Sequence, residues 1–523
     1  MPFKKQRPAS KSSKPADHPL FAGLLRGVGG ASVAAKQRFP HPDELVENPD
    51  LRFSWPNHEG KFFLGVVNAD IKTIQLPGGR TGIAAVGGDP LGFADDRHLC
   101  TVAGNRAGKG RSLIINNLLT YPGSVIVIDP KGDLAVETAA HRSGVLGQKV
   151  VLLDPFDSAG GQLADFVGTF NPLRSVDPTD IDGMIIAASL IADALVDTTG
   201  ETDPHWSESG KQFLEAAILH VCSAAEFEGD RTLRAVHRIV SVEVEDDDFM
   251  KRMGESEAAN GSVSMGAIAL LSKSEKERSG VLSTLRRHLH FLGYSKMQAA
   301  LGDSAFDIAH LQRQPTTLYL SLPAMMMGSC AGWLRLFVNL ALNAFESNLK
   351  RREFQVQAGG HRVLMVLDEA AVLGRMSRLE VAIGQIAGLG VKLWTIWQDL
   401  GQPAAIYGKR WESFIGNASV LNFFGNNDQF TLEYIEKRLG QTMVYSASRR
   451  STSHDAAIQQ GDLGESYTLQ SHPLMTAPEI ARTFDRDDPM LRQLVFLPGI
   501  GPVILQRAFQ DQHEFFVDLR NKV

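Results

Sequence analysis

Short apolar runs bounded by turn residues alternate with longer stretches of helical periodicity along most of this chain. From residue 61, FFLGVV, TIQL and TGIAAV are small strands separated by turns and glycine pairs. RHLCTVA (97–103) is a strand and GNRAGKG (104–110) a glycine-containing loop. RSLIINNLLTY (111–121) is a helix with Leu113, Ile114, Leu118 and Leu119 on its inner side. SVIVIDP and KVVLLDP are continuous apolar runs ending in Asp-Pro, the pattern of parallel strands buried on both faces. Strand–helix–strand alternation on this scale predicts an α/β fold.

The texture changes at 177. DIDGMIIAASLIADAL, HWSESGKQFLEAAILHVCSAAEF, RTLRAVHRIV and VLSTLRRHLHFLGY are all helical, and 177–311 offers no convincing strand. Strands return with TTLYLSLP, RVLMVLDE, VKLWTIWQ and SVLNFFG. The expected organisation is therefore a tail and linker over 1–60 and the first part of an α/β domain over 61–176. An all-helical insertion over 177–311 and the second part of the α/β domain over 312–523 complete it. Residues 446–466 are polar and expected as a mobile loop. The longest membrane candidate, 316–334, carries Pro323, Gly328 and Gly332, so a strand, a loop and a helix start are expected there rather than a spanning helix. No secretory signal is visible, because no apolar run follows the basic start.

The 523 residues are 43% hydrophobic and 21% charged, ordinary globular usage that excludes wholesale disorder. The net charge of −6 disfavours a generically basic nucleic-acid coat. Residues 1–16 hold Lys4, Lys5, Arg7, Lys11 and Lys14 without an acid, a composition expected to be disordered. Cys100, Cys222 and Cys330 are odd in number and far apart, so neither a disulfide framework nor a cysteine zinc site is expected.

Three segments carry candidate chemistry. Ala103-Gly104-Asn105-Arg106-Ala107-Gly108-Lys109-Gly110 lies between a strand and a helix, where backbone N–H groups and a lysine can hold phosphates. Ala103 stands where such loops begin with glycine, and Gly110 where a hydroxyl would hold Mg²⁺; Ser112 is the nearest hydroxyl. Asp368 and Glu369 end the apolar run VLMVL. In a nucleotide site the first helps hold Mg²⁺ and the second activates water; an acidic helix cap is the structural alternative. Gln398 ends VKLWTIWQ, where an amide senses a γ-phosphate or caps the next turn. Loop and acidic pair together favour a nucleoside triphosphatase.

These segments belong to a longer ordered series: AGNRAGKG, SVIVIDPKGDL, FNPL, HWSESGKQFLEAAILHV, SEKERSGVLSTLRRHLHFL, TTLYLSLP, VLMVLDEAAVLG, IWQDLGQPAAIYG, the LG at 439–440, and HPLMTAPEIAR. Over about 100–500 the chain resembles the TraG/TraD-type coupling ATPases of type IV secretion systems. The resemblance implies a RecA-like P-loop NTPase motor domain with an inserted all-helical domain, assembled as a ring of about six subunits with ATP and Mg²⁺ at subunit interfaces. It implies delivery of DNA, DNA–protein conjugates or secreted proteins to other secretion components. It places Gly104, Asn105, Arg106, Ala107, Gly108, Lys109, Gly110 and Arg111 around the phosphates, and Lys109, Asp368, Glu369 and Gln398 in catalysis. Asp368 and Ser112 are the metal candidates. Asp129, Lys131 and Asp133 fall on the family's DPKG[ED] segment, where Asp129 either approaches the metal or ends a strand.

Such proteins usually begin with membrane helices. None is found here, so a cytoplasmic protein is expected, at most peripheral at the inner membrane. Arg375, Arg378 and Arg410 are candidates for an arginine supplied to a neighbouring site. Arg286, Arg287, His288 and His290, beside Phe291, either track nucleic-acid phosphates or form a solvated helix face. Two other functions fit the residues: a free DNA translocase resembling FtsK and HerA, and a non-hydrolysing receptor with a degenerate nucleotide site.

Overall fold

The computed structural model describes residues 38–76, 79–198, 204–304, 306–350, 362–449 and 465–522. Its strands before the helical region are β1 (Phe62–Val67), β2 (Asp70–Leu76), β3 (Arg80–Val86), β4 (Asp89–Phe93), β5 (His98–Ala103), β6 (Ser124–Asp129) and β7 (Lys149–Leu153). After it come β8 (Thr316–Ser321), β9 (Val363–Leu367), β10 (Val391–Trp397), β11 (Ala418–Phe424), β12 (Gln441–Arg449), β13 (Glu465–Pro473), β14 (Arg492–Leu497) and β15 (Gly501–Gln506). Eleven of them form one sheet in the order β4-β1-β15-β14-β11-β5-β10-β9-β6-β8-β7. From β11 to β7 every neighbouring pair is parallel; β14, β15, β1 and β4 extend the sheet antiparallel.

The continuous apolar runs became the parallel strands because both faces are covered. Every residue of β5, β6, β8, β9 and β10 is buried. Between β7 and β8 the described regular elements are all helical. His205–Ser223 packs against Ile181–Leu195, Ser262–Leu271 and Glu275–Leu289. Side-chain caps start four of the described α-helices of this region: Asp180 accepts from Gly183 N, Thr232 from Ala235 N, Asp246 from Asp248 N and Phe249 N, and Ser274 from Glu277 N. Ile181–Leu195 also packs on Ala331–Lys350, which follows β8 and a short 3-10 turn. The stretch considered for a membrane is thus a strand, a loop and a helix start, and among the described residues no helix is long and apolar enough to cross a bilayer. All three cysteines are free and buried.

Two local expectations are revised. Residues 38–60, expected as tail and linker, are built into the fold. Helix Pro42–Glu47 starts with a capping box between His41 and Glu44, and Leu45, Leu51 and Phe53 are buried. Their backbone pairs with the β4 strand, Gly92 N donating to Leu51 O at 2.8 Å and Phe53 N to Pro90 O at 3.2 Å. Three scattered apolar residues among Pro, Asn and Asp have no period, so only the tertiary contact reveals them. The expected mobile loop at 446–466 begins and ends inside a β12–β13 hairpin, which takes in 446–449 and 465–466. The remainder of that loop, and the basic tail, lie outside the described residues.

Candidate active site

Four neighbouring strands bring their C-terminal ends to one place. β5 leads into the glycine loop, β10 ends before Gln398, β9 before Asp368-Glu369, and β6 ends in Asp129. Parallel α/β sheets form their ligand crevices along such edges. Lys109 reaches from the β5 loop past β10 to the end of β9, where its Nζ donates to Glu369 Oε1 at 2.8 Å and stands 3.5 Å from Asp368 Oδ1. Gln398 Nε2 donates to the other Glu369 oxygen at 2.9 Å. Asn426 Nδ2, beyond β11, donates to Gln398 O at 3.2 Å.

The loop is tightly seated. Gly104 N donates to Phe424 O, and a Cβ on Gly104 would stand 1.9 Å from Gly425 O. Arg106 and Gly108 both have positive φ, +57° and +90°. After Lys109 the chain enters a single π-helical turn, Gly110–Ile114, before the α-helix Ile115–Thr120. Gly110 faces open space: a Cβ there would meet no heavy atom within 4 Å. Ser112 is buried, and its hydroxyl donates to Gly108 O at 3.0 Å. Glu369 is itself left-handed, φ +59°, a strained conformation for a residue with a side chain.

Burial and charge push the two adjacent acids apart. Burial raises the Asp368 carboxyl, with Lys109 only partly offsetting it. Burial opposes charge on Glu369 too, but Lys109 and the Gln398 amide outweigh it and hold that carboxyl below its ordinary value. For Lys109, burial is outweighed by the two carboxylates, and its ammonium is stabilised. Asp129 is pushed up to about 7 by burial, with the nearby Asp368 charge adding to it and backbone N–H groups opposing. Asp368 Oδ1 is buried without a hydrogen-bond partner.

Other expected residues lie elsewhere. Arg375 and Arg410 both pair with the buried carboxylate of Glu380, and Arg378 pairs with Asp193 of the helical region. Arg286 donates to Val240 O at 3.0 Å and to Glu245 at 2.7 Å, and Phe291 is buried, so that ring offers no surface for a base. Sequence reading missed Arg507. Its buried guanidinium donates to Ala107 O at 2.7 Å in the loop, and to Asp485 O and Arg486 O. It also missed Arg335, which ties Leu373 O, after the acidic pair, to Ala194 O and Asp197 in the helical region. Neither residue belongs to a local pattern; each acts on carbonyls far away in sequence.

The chain is similar to known proteins along most of its length. "Conjugal transfer protein TraG" of Escherichia coli is 26% identical over 408 residues, covering 75% of this chain and 62% of that protein. "Protein VirD4" of Agrobacterium fabrum is 26% identical over 426 residues, covering 80% and 60%. The chain thus spans about 60% of the length of these relatives. The plasmid coupling protein TrwB, solved with ADP and Mg²⁺, superposes with a TM-score of 0.58 at 17% identity, over 85% of this chain and 96% of that one. The same protein has been solved with the ATP analogue ADPNP. The fold is therefore RecA-like P-loop NTPase, α/β, around a largely parallel sheet. The family described as "Type IV secretory system Conjugative DNA transfer" matches residues 65–523, and the chain belongs to it.

Proposed function

We propose that this chain is an ATP-hydrolysing coupling protein that moves DNA or DNA–protein substrates toward a type IV secretion channel. The observation that carries the reading is Lys109, held by Asp368 and Glu369 with Gln398 on the second Glu369 oxygen. The lysine neutralises the acidic pair, and a γ-phosphate at the loop would join the ammonium's partners. Glu369, anionic and oriented by Gln398, then accepts the proton of an attacking water. The loop Gly104–Arg111 cradles the phosphates.

The residues also fit Mg²⁺. Asp368 Oδ1 is a buried acceptor with no hydrogen bond beside its 3.5 Å ion pair to Lys109, and a Cβ on Gly110 would meet no heavy atom within 4 Å. Bound there, the ion would neutralise charge on the transferred phosphoryl group. Ser112 is the less suited ligand, because its hydroxyl is engaged by Gly108 O. Partners are proposed as DNA, secretion components and further copies of this chain, in a hexameric ring at the cytoplasmic face of a membrane. A receptor that binds without hydrolysing is the second reading, supported by the missing hydroxyl at Gly110.

Nucleotide titration and turnover on two variants separate these readings. Lys109→Ala should lose ATP affinity. Glu369→Gln should keep ATP affinity and lose turnover by about 100-fold or more. Normal hydrolysis in Glu369→Gln removes the assigned role of the acidic pair, and no hydrolysis in the unaltered assembled protein favours the receptor.

A further inference from the structure

We propose that the base of the bound nucleotide stacks on a ledge made by Phe509 and the Arg111 guanidinium. The inference rests on the nucleotide-site reading above and extends it to the nucleoside end. In a loop of this kind the lysine meets the β- and γ-phosphates and the following backbone N–H groups meet the α-phosphate. The nucleoside therefore leaves the loop past Gly110 and Arg111. The chain after β15 runs along that exit. Phe509 Cε1 stands 2.8 Å from where a Cβ on Gly108 would be, and the residue is half-buried, one side packed on the core. The Arg111 guanidinium lies over the ring, 4.7 Å from its centroid.

The ledge is held from several sides. Asp511 grips Arg111 through both carboxylate oxygens, at 2.8 and 2.6 Å from Nη2. Gln510 N donates to Arg111 O at 2.8 Å. Asn116 Nδ2 donates to Ala508 O at 2.7 Å, and Arg507 fastens the same segment to Ala107 O. The exposed part of a half-buried aromatic ring, backed by a guanidinium whose charge is balanced by Asp511, offers a flat surface to a base without adding net charge beside the phosphates. Stacking tolerates any base, so the ledge favours nucleotides over bare phosphate without selecting one purine.

The test uses the full chain with Mg²⁺ and three probes: ATP, GTP and inorganic tripolyphosphate. Phe509→Ala should weaken ATP and GTP alike, on the order of ten-fold, and leave tripolyphosphate within about two-fold. Phe509→Trp should restore ATP affinity, and its added emission should be quenched by ATP but not by tripolyphosphate. This second variant keeps a ring against Gly108 and guards against a folding defect. ATP affinity unchanged in Phe509→Ala overturns the inference. So does tripolyphosphate weakened as much as ATP, since the ring would then only brace the loop. If the unaltered chain binds neither ATP nor tripolyphosphate, the nucleotide-site reading falls and this inference with it; tripolyphosphate binding that survives beside an unchanged ATP affinity in Phe509→Ala removes this inference alone.

Discussion

Gly110 and Asp129 show how one residue sets the chemistry of the site. Gly110 lacks the hydroxyl that would hold Mg²⁺ directly, yet nothing crowds it. Gly110→Thr should therefore fit without loss of stability and lower the Mg²⁺ concentration needed for half-maximal nucleotide binding by several-fold. A Mg²⁺ titration with and without the substitution checks this. Asp129 accepts from Ala135 N at 2.8 Å while its carboxyl is pushed up to about 7 by burial. Its unfolded pKa is about 3.9, so the folded chain holds this proton over a range where the unfolded chain has released it. The resulting stability is fully present below about 4 and is lost as pH rises through about 7. Denaturant midpoints measured from pH 4 to pH 8 should fall for this reason, and Asp129→Asn should flatten the decline.

At the scale of elements, the site depends on how closely the ends of β5 and β11 approach. Gly104 sits against the Gly425 carbonyl, and Gly425, at φ +66°, faces Ala107 while its N–H donates to Phe484 O at 2.6 Å. The loop is thus seated on a neighbouring strand end as well as on its own helix. A methyl group at 104 would overlap backbone, which cannot yield as a flexible side chain can. Gly104→Ala should cost about 1–3 kcal/mol of stability and displace the loop. A lowered melting temperature together with weakened ATP binding is the expected result. The β9 end shows the same dependence: Glu369 holds a left-handed backbone while the turn behind it is tied by Arg335 to the helical region.

The whole molecule carries a net charge of −6, so nonspecific DNA affinity in a dilute single chain should be weak. Arg286, a candidate phosphate contact, is bonded into the helical region by Val240 O and Glu245, so its first role is structural. Assembly changes this expectation, because a ring concentrates whatever basic groups face its channel. Specific ATPase activity should rise with protein concentration. DNA binding should appear with assembly, ignore sequence, and fall steeply between low and high salt as counterion release diminishes. Sedimentation and anisotropy at two salt concentrations measure both effects. A strictly monomeric species with constant specific activity would exclude a site completed by a neighbour.

The amino-acid sequence by itself determined the buried parallel strands, through apolar runs such as SVIVID and VLMVL, and the helical region, through its period. It also determined the glycine loop and the acidic pair, because both sit at strand ends marked by abrupt changes from apolar to polar residues. The tertiary structure decided which strand ends become neighbours. Lys109 meets Glu369 across 260 positions only because β10 lies between β5 and β9. It also decided that Arg507 holds Ala107 and that Phe509 stands beside Gly108, 400 or so positions away. Local pattern records whether a residue will be buried, since burial alternates with the period of the element. It carries no record of partners, which are set by strand order and by the packing of segments distant in the chain.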